Sequence, residues 1–97
     1  MRTHTLAING TPFDCVESGR GSLIIFVHGA PSDCRVWAPH VEALASDYHA
    51  LAYTQRYFGR QDWRDDWPPF GVETHAEDLI ALLGHIGAGP AHVAAWS

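Results

Sequence analysis

The feature that most constrains the fold is a continuous apolar run over residues 23–27, followed at once by His28-Gly29. The run is rich in β-branched and aromatic side chains, and no polar residue interrupts it. This pattern is typical of a strand that is buried on both faces of a parallel sheet. Because such a sheet is covered by helices, the run predicts an α/β protein.

Further strand candidates lie on both sides of this run. Residues 3–8 and 13–18 flank Asn9-Gly10-Thr11-Pro12, and the Asn-Gly dipeptide predicts a β-hairpin. Residues 48–53 form another candidate, and residues 91–96 form the last one, built from small and apolar side chains. With the intervening helices, the chain is predicted to follow the order β-β-β-α-β-α-β.

Two helices are predicted between these strands. Pro39 suits the first turn of the first helix, where its missing N–H costs nothing. The apolar face of that helix is predicted to comprise Val41, Leu44 and Ala45. The second helix is predicted to begin with a capping box, in which the Thr74 hydroxyl accepts from the Glu77 N–H, and to end at Gly87. Its apolar face is predicted to comprise Ala76, Leu79, Ile80 and Leu83.

Composition excludes several classes of function. The 97 residues are 46% hydrophobic and 18% charged, which suits one folded domain over residues 1–97. All six basic residues are arginine, and the formal net charge of −5 argues against a nucleic-acid or membrane-surface partner. No apolar stretch approaches the roughly 20 residues of a membrane span, and no signal peptide is visible. We therefore expect a cytoplasmic protein.

Metal and cofactor sites are not indicated. Cys15 and Cys34 are too few for a disulfide scaffold or a cysteine-based zinc site, and we interpret them as reduced thiols. No two of the seven histidines are three or four residues apart, the spacing of a helical metal site. Gly87-Ala88-Gly89 follows a helix and lacks the third glycine of a dinucleotide fingerprint. We expect neither a metal nor a cofactor.

Two segments carry residues suited to acyl transfer. Ala95-Trp96-Ser97 places a serine at the tip of an apolar strand, as in the first part of a nucleophile elbow. His28-Gly29-Ala30-Pro31 follows another strand, where a backbone N–H can face a developing oxyanion. Ala30 can supply that N–H, whereas Pro31 has none.

Together these segments resemble the α/β-hydrolase family, with the serine esterase and proline iminopeptidase branch closest. The resemblance extends over the whole chain. Its anchors are His28-Gly29-Ala30-Pro31 with Trp37, Tyr53-Thr54-Gln55-Arg56-Tyr57-Phe58-Gly59, and Ala95-Trp96-Ser97. It implies that Ser97 is the nucleophile, that Ala30 is an oxyanion donor and that His28 is structural. The substrate implied is a small molecule with an ester, lactone or amide bond.

The chain also departs from the family pattern. Thr54 and Tyr57 stand where many relatives have Asp and Gly in Asp-x-Arg-Gly-x-Gly. Epoxide hydrolases and haloalkane dehalogenases share the His-Gly-x-Pro form but use an aspartate nucleophile, and this chain has Ser97 at that point. In the family the triad acid and histidine follow the serine. Every acid and histidine here precedes it, so we expect an N-terminal portion that is inactive as 97 residues.

The last strand and the loop leave alternatives open. The last strand would present an open apolar edge lined by Ala91, Val93 and Ala95, with no protecting charge or proline within it, so we expect marginal stability or self-association. One alternative function is a non-catalytic relic or a half-domain whose partner supplies further strands. The loop over residues 54–73 is either a lid at the pocket rim or packing on the sheet.

Overall fold

The structure is a computed structural model that describes residues 1–96. It contains five strands: β1 (Arg2–Ile8), β2 (Thr11–Ser18), β3 (Leu23–Val27), β4 (His49–Tyr53) and β5 (His92–Ala95). Two α-helices, α1 (Ala38–Leu44) and α2 (Val72–Ile86), connect them, and a short 3-10 helix (Cys34–Trp37) leads into α1. The predicted element order is confirmed.

The strands form one mixed sheet in the order β1-β2-β4-β3-β5. β1 pairs with β2 and β2 with β4 in antiparallel fashion, whereas β3 lies parallel to both β4 and β5. The buried run over residues 23–27 is therefore a central strand with a parallel neighbour on each side. Its buried side chains Leu23, Ile25 and Phe26 supply both faces of the sheet.

The hairpin turn is shorter than the sequence suggests. Ile8 pairs with Thr11, so only Asn9 and Gly10 form the turn and Thr11-Pro12 belongs to β2. Asn9 has φ 49 and Gly10 has φ 73. Two consecutive positive φ angles are what a two-residue turn needs to match the twist of its strands.

Two apolar layers cover the sheet. On one face α1 packs against Val16, Phe26, Ala50 and Ala52, with Val41 fully buried. On the other face α2 covers a larger cluster in which Leu82 contacts the strands, the other buried members being Ile8, Phe13, Cys15, Leu23, Ile25, Leu51 and Tyr53. The two helices on opposite faces bury the sheet as the predicted α/β architecture requires.

The predicted start of the second helix is wrong. The helix begins at Val72 after Gly71, and no side chain caps its first turn. The Thr74 hydroxyl instead donates to the Pro69 carbonyl at 2.6 Å, so it is committed to the preceding loop and makes no capping box. The predicted end is confirmed, because Gly87 has φ 66 and its N–H donates to Leu83 O.

The predicted apolar face of α2 is also partly wrong. Thr74, Asp78 and Leu82 are the buried residues of the helix, while Ile80 is 68% exposed. Polar contacts determine which face of the helix is buried, because Asp78 forms a buried ion pair with Arg56. This pair and the Thr74 hydrogen bond turn two polar residues toward the sheet, which rotates Ile80 away from it.

No helix among residues 1–96 is both long enough and apolar enough to cross a membrane. The last strand, β5, lies at one end of the described sheet and pairs with β3 alone there. Val93, in the middle of β5, is 48% exposed. The apolar edge expected from the sequence is therefore present in the described part of the chain.

Candidate active site

The candidate site lies where the three parallel strands end. Because β3, β4 and β5 run in the same direction, their carboxyl ends meet at one edge of the sheet. His28 follows β3, Thr54 follows β4, and Trp96 follows β5. Crevices at this edge are the usual ligand sites of open α/β sheets. The topology thus brings the three predicted anchor segments together.

His28 is buried, and both of its ring nitrogens contact backbone groups. Its Nδ1–H donates to the Gly29 carbonyl at 2.9 Å, and its Nε2 accepts from the Gln55 N–H at 3.0 Å. Burial lowers the pKa of this imidazole below its usual value. A neutral ring with both nitrogens occupied has no free position for a substrate proton, which agrees with the structural role that the resemblance implies.

Gly29 makes room for Trp96. A Cβ atom at Gly29 would lie 2.7 Å from Cε3 of the Trp96 ring and 2.8 Å from the Trp96 carbonyl oxygen. No side chain fits there without displacing the end of β5. The Trp96 N–H in turn donates to the Val27 carbonyl at 3.1 Å. The end of β5 and the loop after β3 are therefore in direct contact.

Ala30, the predicted oxyanion donor, lies in that loop and is exposed. Within residues 1–96, no acceptor is found for its backbone N–H. An exposed, unoccupied backbone donor at the carboxyl edge of a parallel sheet can bind an anionic oxygen. Ser97, the predicted nucleophile, lies outside the described residues.

A cavity of about 260 Å³ opens beside this loop. Val36, Trp37, His40 and Trp96 line it. Trp37 packs against Phe26 with ring centroids 4.8 Å apart and edge-on against His40 at 5.0 Å. Trp37, one of the anchors of the resemblance, thus belongs to an apolar wall next to Trp96.

Thr54, at the end of β4, holds the loop after β3. Its hydroxyl accepts from the Cys34 N–H at 3.0 Å, which ties the start of the 3-10 helix to the end of β4. A Cβ atom at Gly59 would lie 2.8 Å from Thr54 Cγ2, so glycine is needed there. Thr54 therefore makes a hydrogen-bonded contact between the two loops.

Tyr57 adopts the backbone conformation that its position requires. Its φ of 78 lies in the left-handed region that glycine enters without strain. The ring of Tyr57 packs edge-on against Trp63, Trp67 and Phe70, and its hydroxyl donates to the Pro68 carbonyl. These contacts hold the tyrosine in place despite its unfavourable backbone.

Of the tryptophan and phenylalanine side chains in the loop over residues 54–73, some are packed and others are exposed. Trp67 is nearly buried, at 9% exposure, and packs against the Arg56 guanidinium, whose Cζ is 5.1 Å from the ring centroid. Trp63 and Phe70 are 68% and 60% exposed. The packing interpretation accounts for Trp67, whereas Trp63 and Phe70 present apolar surface at the rim of the loop.

Arg56 is structural. It donates to Asp78 through Nε at 2.9 Å and Nη2 at 3.1 Å, and to the Thr11 hydroxyl through Nη1 at 3.1 Å. Asn9 donates to the same carboxylate at 3.0 Å. These bonds join the hairpin, the loop after β4 and α2. Nothing in the sequence links Asp78 to Arg56, because the pairing spans 22 residues.

The ion-pair cluster around Glu17 lies away from this edge. Glu17 accepts from Arg2, His4 and His49 near the amino end of β4. Cys15 and Cys34 are free and buried, and burial raises the pKa of the Cys15 thiol to about 12. Residues 1–96 contain no group of three side chains arranged to hold a metal ion.

The comparisons with known proteins agree with this topology. The hydrolase YraK of Bacillus subtilis (strain 168), itself uncharacterized, is 30% identical over 89 residues, which are 92% of this chain and 33% of YraK. Epoxide hydrolase VrEH1 from Vigna radiata superposes with a TM-score of 0.86 and 26% identity over 97% of this chain. The chain has the α/β-hydrolase fold.

A third similar protein shares the fold alone. A membrane phospholipase A, a bacterial virulence factor, superposes with a TM-score of 0.89 at 22% identity over 99% of this chain. The chain spans about a third of the length of these proteins: 31% of the epoxide hydrolase and 31% of the phospholipase. No protein-family profile matches the sequence.

Proposed function

We propose that this chain is the N-terminal portion of a serine α/β-hydrolase, with Ser97 as nucleophile and the Ala30 N–H as an oxyanion donor. The contact between Trp96 and Gly29 carries the proposal. It joins the residue before Ser97 to the residue before Ala30. The Ala30 N–H, which has no acceptor among the described residues, and the hydrolase relative add support.

The proposed chemistry is acyl transfer on an ester, lactone or amide. The Ser97 hydroxyl oxygen attacks the carbonyl carbon, and a C–O bond forms while the serine proton passes to a histidine base. The carbonyl oxygen becomes an oxyanion that accepts from the Ala30 N–H. When the intermediate collapses, the leaving alcohol or amine takes that proton. Water then hydrolyses the acyl-enzyme and restores the Ser97 hydroxyl.

The base and its acid would follow Ser97 in the chain, as the resemblance implies. Without them the serine hydroxyl is a poor nucleophile near neutral pH. We therefore propose that the 97-residue chain is inactive by itself, and that the continued chain is active on a small-molecule substrate.

The test compares this chain with the product of its coding sequence read past the Ser97 codon to the first stop. The continued protein should hydrolyse a short aryl ester, and Ser97→Ala should lower kcat by about 10⁶-fold, as for other triad serines. Ser22→Ala, an exposed serine away from the site, is the matched control and should leave kcat unchanged. A stop codon directly after Ser97, or an active Ser97→Ala variant, would contradict the proposal.

The structural comparisons favour a second candidate. Epoxide hydrolase VrEH1 from Vigna radiata and a Vigna radiata epoxide hydrolase mutant superpose with TM-scores of 0.86, at 26% and 27% identity. An epoxide-opening relative would need a carboxylate nucleophile, and the sequence has Ser97 at that point. Turnover of an aryl epoxide by the continued protein, with no turnover of the aryl ester, would favour this candidate.

The open edge of β5 supports a third candidate, a half-domain that pairs with a partner. β5 pairs with β3 alone among the described strands, and Val93 on it is exposed. A partner that adds a strand would cover this edge. Ester hydrolysis that appears only when the 97-residue chain is mixed with a separate C-terminal hydrolase fragment would favour this candidate.

A further inference from the structure

Gln55 contacts the loop of the proposed oxyanion donor in two ways, and the sequence gives no sign of either. Its backbone N–H donates to His28 Nε2 at 3.0 Å, and its side-chain amide donates to the His28 carbonyl at 2.7 Å. His28 itself is 2% exposed. Gln55 therefore fixes both the ring of His28 and the peptide bond that follows it.

The first contact determines which nitrogen of His28 carries the proton. Because the Gln55 N–H donates to Nε2, that nitrogen must be unprotonated, and the proton of the neutral ring lies on Nδ1. Nδ1–H then donates to the Gly29 carbonyl at 2.9 Å. The opposite tautomer would place two donors face to face at Nε2 and leave the Gly29 carbonyl without this bond.

The Gly29 carbonyl belongs to the same peptide group as the Ala30 N–H. This peptide is trans, so its C=O and N–H point in opposite directions in one plane. A hydrogen bond that holds the carbonyl therefore also holds the direction of the N–H. It polarises the peptide as well, which makes the N–H a stronger donor.

We propose that Gln55 is a positioning residue that acts through His28 to aim and polarise the Ala30 N–H at the oxyanion. The chain of contacts runs from the Gln55 N–H to His28, from His28 to the Gly29 carbonyl, and across that peptide to the Ala30 N–H. The Gln55 side chain fixes the preceding peptide through the His28 carbonyl. This inference rests on the proposed function.

The first experiment uses Gln55→Met in the continued protein, which removes the side-chain donor to the His28 carbonyl, keeps the length of the side chain and leaves the backbone N–H that donates to His28 Nε2. It therefore tests the side-chain part of the positioning role. Removal of a whole oxyanion donor lowers kcat about 10²–10³-fold, so a misaimed donor should lower it about 10–100-fold with KM changed less than about twofold. A trifluoromethyl ketone, which mimics the oxyanion, should bind weaker by the same factor as kcat falls. Gln61→Met, in the same loop but outside the His28 contacts, should change neither quantity.

The outcomes separate this inference from the proposed function. If Ser97→Ala abolishes turnover while Gln55→Met keeps kcat, the positioning role of the Gln55 side chain is refuted and the proposed function stands. If kcat is kept and only KM rises, Gln55 binds substrate and the inference is refuted as well. If Ser97→Ala remains active, the proposed function is refuted, and so is this inference, which rests on it.

The second experiment needs no activity and no variant. In ¹⁵N-labelled protein at neutral pH, the ring nitrogens of His28 should show a protonated Nδ1 and an unprotonated Nε2. A protonated Nε2 would mean that the Gln55 N–H does not donate to it, and would overturn the inference even if Gln55→Met failed to fold.

Discussion

Removing one partner of the buried Arg56–Asp78 pair should destabilise this fold strongly, because the other partner is left buried without its counter-charge. The two side chains are 3% and 4% exposed, and the Asp78 carboxylate accepts three hydrogen bonds, two from Arg56 and one from Asn9. Asp78→Ala would leave the guanidinium buried with the Thr11 hydroxyl as its remaining hydrogen-bond partner. Breaking a buried pair in this way costs about 3–5 kcal/mol.

That cost is large for a chain of this size. A domain of 97 residues has a free energy of unfolding of about 5–15 kcal/mol, so Asp78→Ala should remove at least about a fifth of it. With a urea m-value of about 2 kcal/mol per M, the unfolding midpoint should fall by about 1.5–2.5 M. Tryptophan fluorescence follows the transition, because Trp67 packs directly on Arg56.

The matched control is Asp66→Ala. Asp66 also pairs with an arginine, Arg64, at 2.7 Å, but the two side chains are 65% and 50% exposed. Exposed pairs contribute about 0–1 kcal/mol, so the midpoint should move by less than about 0.5 M. Equal shifts for Asp66→Ala and Asp78→Ala, or a shift below about 0.5 M for Asp78→Ala, would refute the reasoning.

Three further predictions concern acid stability, the Gly29 contact and the sheet edge. Burial by itself would raise the pKa of Glu17, but hydrogen bonds from histidine and arginine side chains lower it from 4.5 to about 2. The ionised Glu17 therefore stabilises the fold above pH 4.5. This contribution is lost as the pH falls toward 2. Glu17→Gln should flatten the loss of melting temperature between pH 5 and 2, and an unchanged acid profile would contradict this. Gly29→Ala should lower the free energy of unfolding in urea by about 1–3 kcal/mol and change the fluorescence of Trp96, because the added Cβ overlaps that residue. Wild-type values for both measurements would contradict the contact. Val93→Lys should reduce self-association of the 97-residue chain in size-exclusion chromatography, because a charge on an edge strand opposes pairing. A wild-type chain that is already monomeric would contradict self-association through this edge.

The sheet could be predicted from the sequence because its signals are local. The apolar run at residues 23–27, the Asn9-Gly10 turn and Gly87 each determine a strand, a turn or a helix end within a few residues. The strand directions then follow from helices that connect parallel strands. The α/β architecture was therefore predictable from local signals, whereas the α/β-hydrolase fold was implied by the resemblance of the anchor segments.

The buried polar contacts could not be predicted from such local signals. The Arg56–Asp78 pair and the Gln55–His28 contacts join residues 22 and 27 positions apart, and hydrophobic periodicity carries no information about them. For the same reason the inward face of α2 was predicted wrongly, since the ion pair outweighs the apolar preference of Ile80. In the candidate site, the sequence identified the segments, and the structure added the contact between Trp96 and Gly29.

Our central claim is that Ser97 is the nucleophile and that the Ala30 N–H donates to the oxyanion that forms when Ser97 attacks. The most direct measurement is covalent labelling of the continued protein with a fluorophosphonate, followed by mass spectrometry of its peptides. The account predicts one adduct, on the peptide that contains Ser97, and none in Ser97→Ala. An adduct on another residue, or no adduct in a protein that hydrolyses esters, would contradict it.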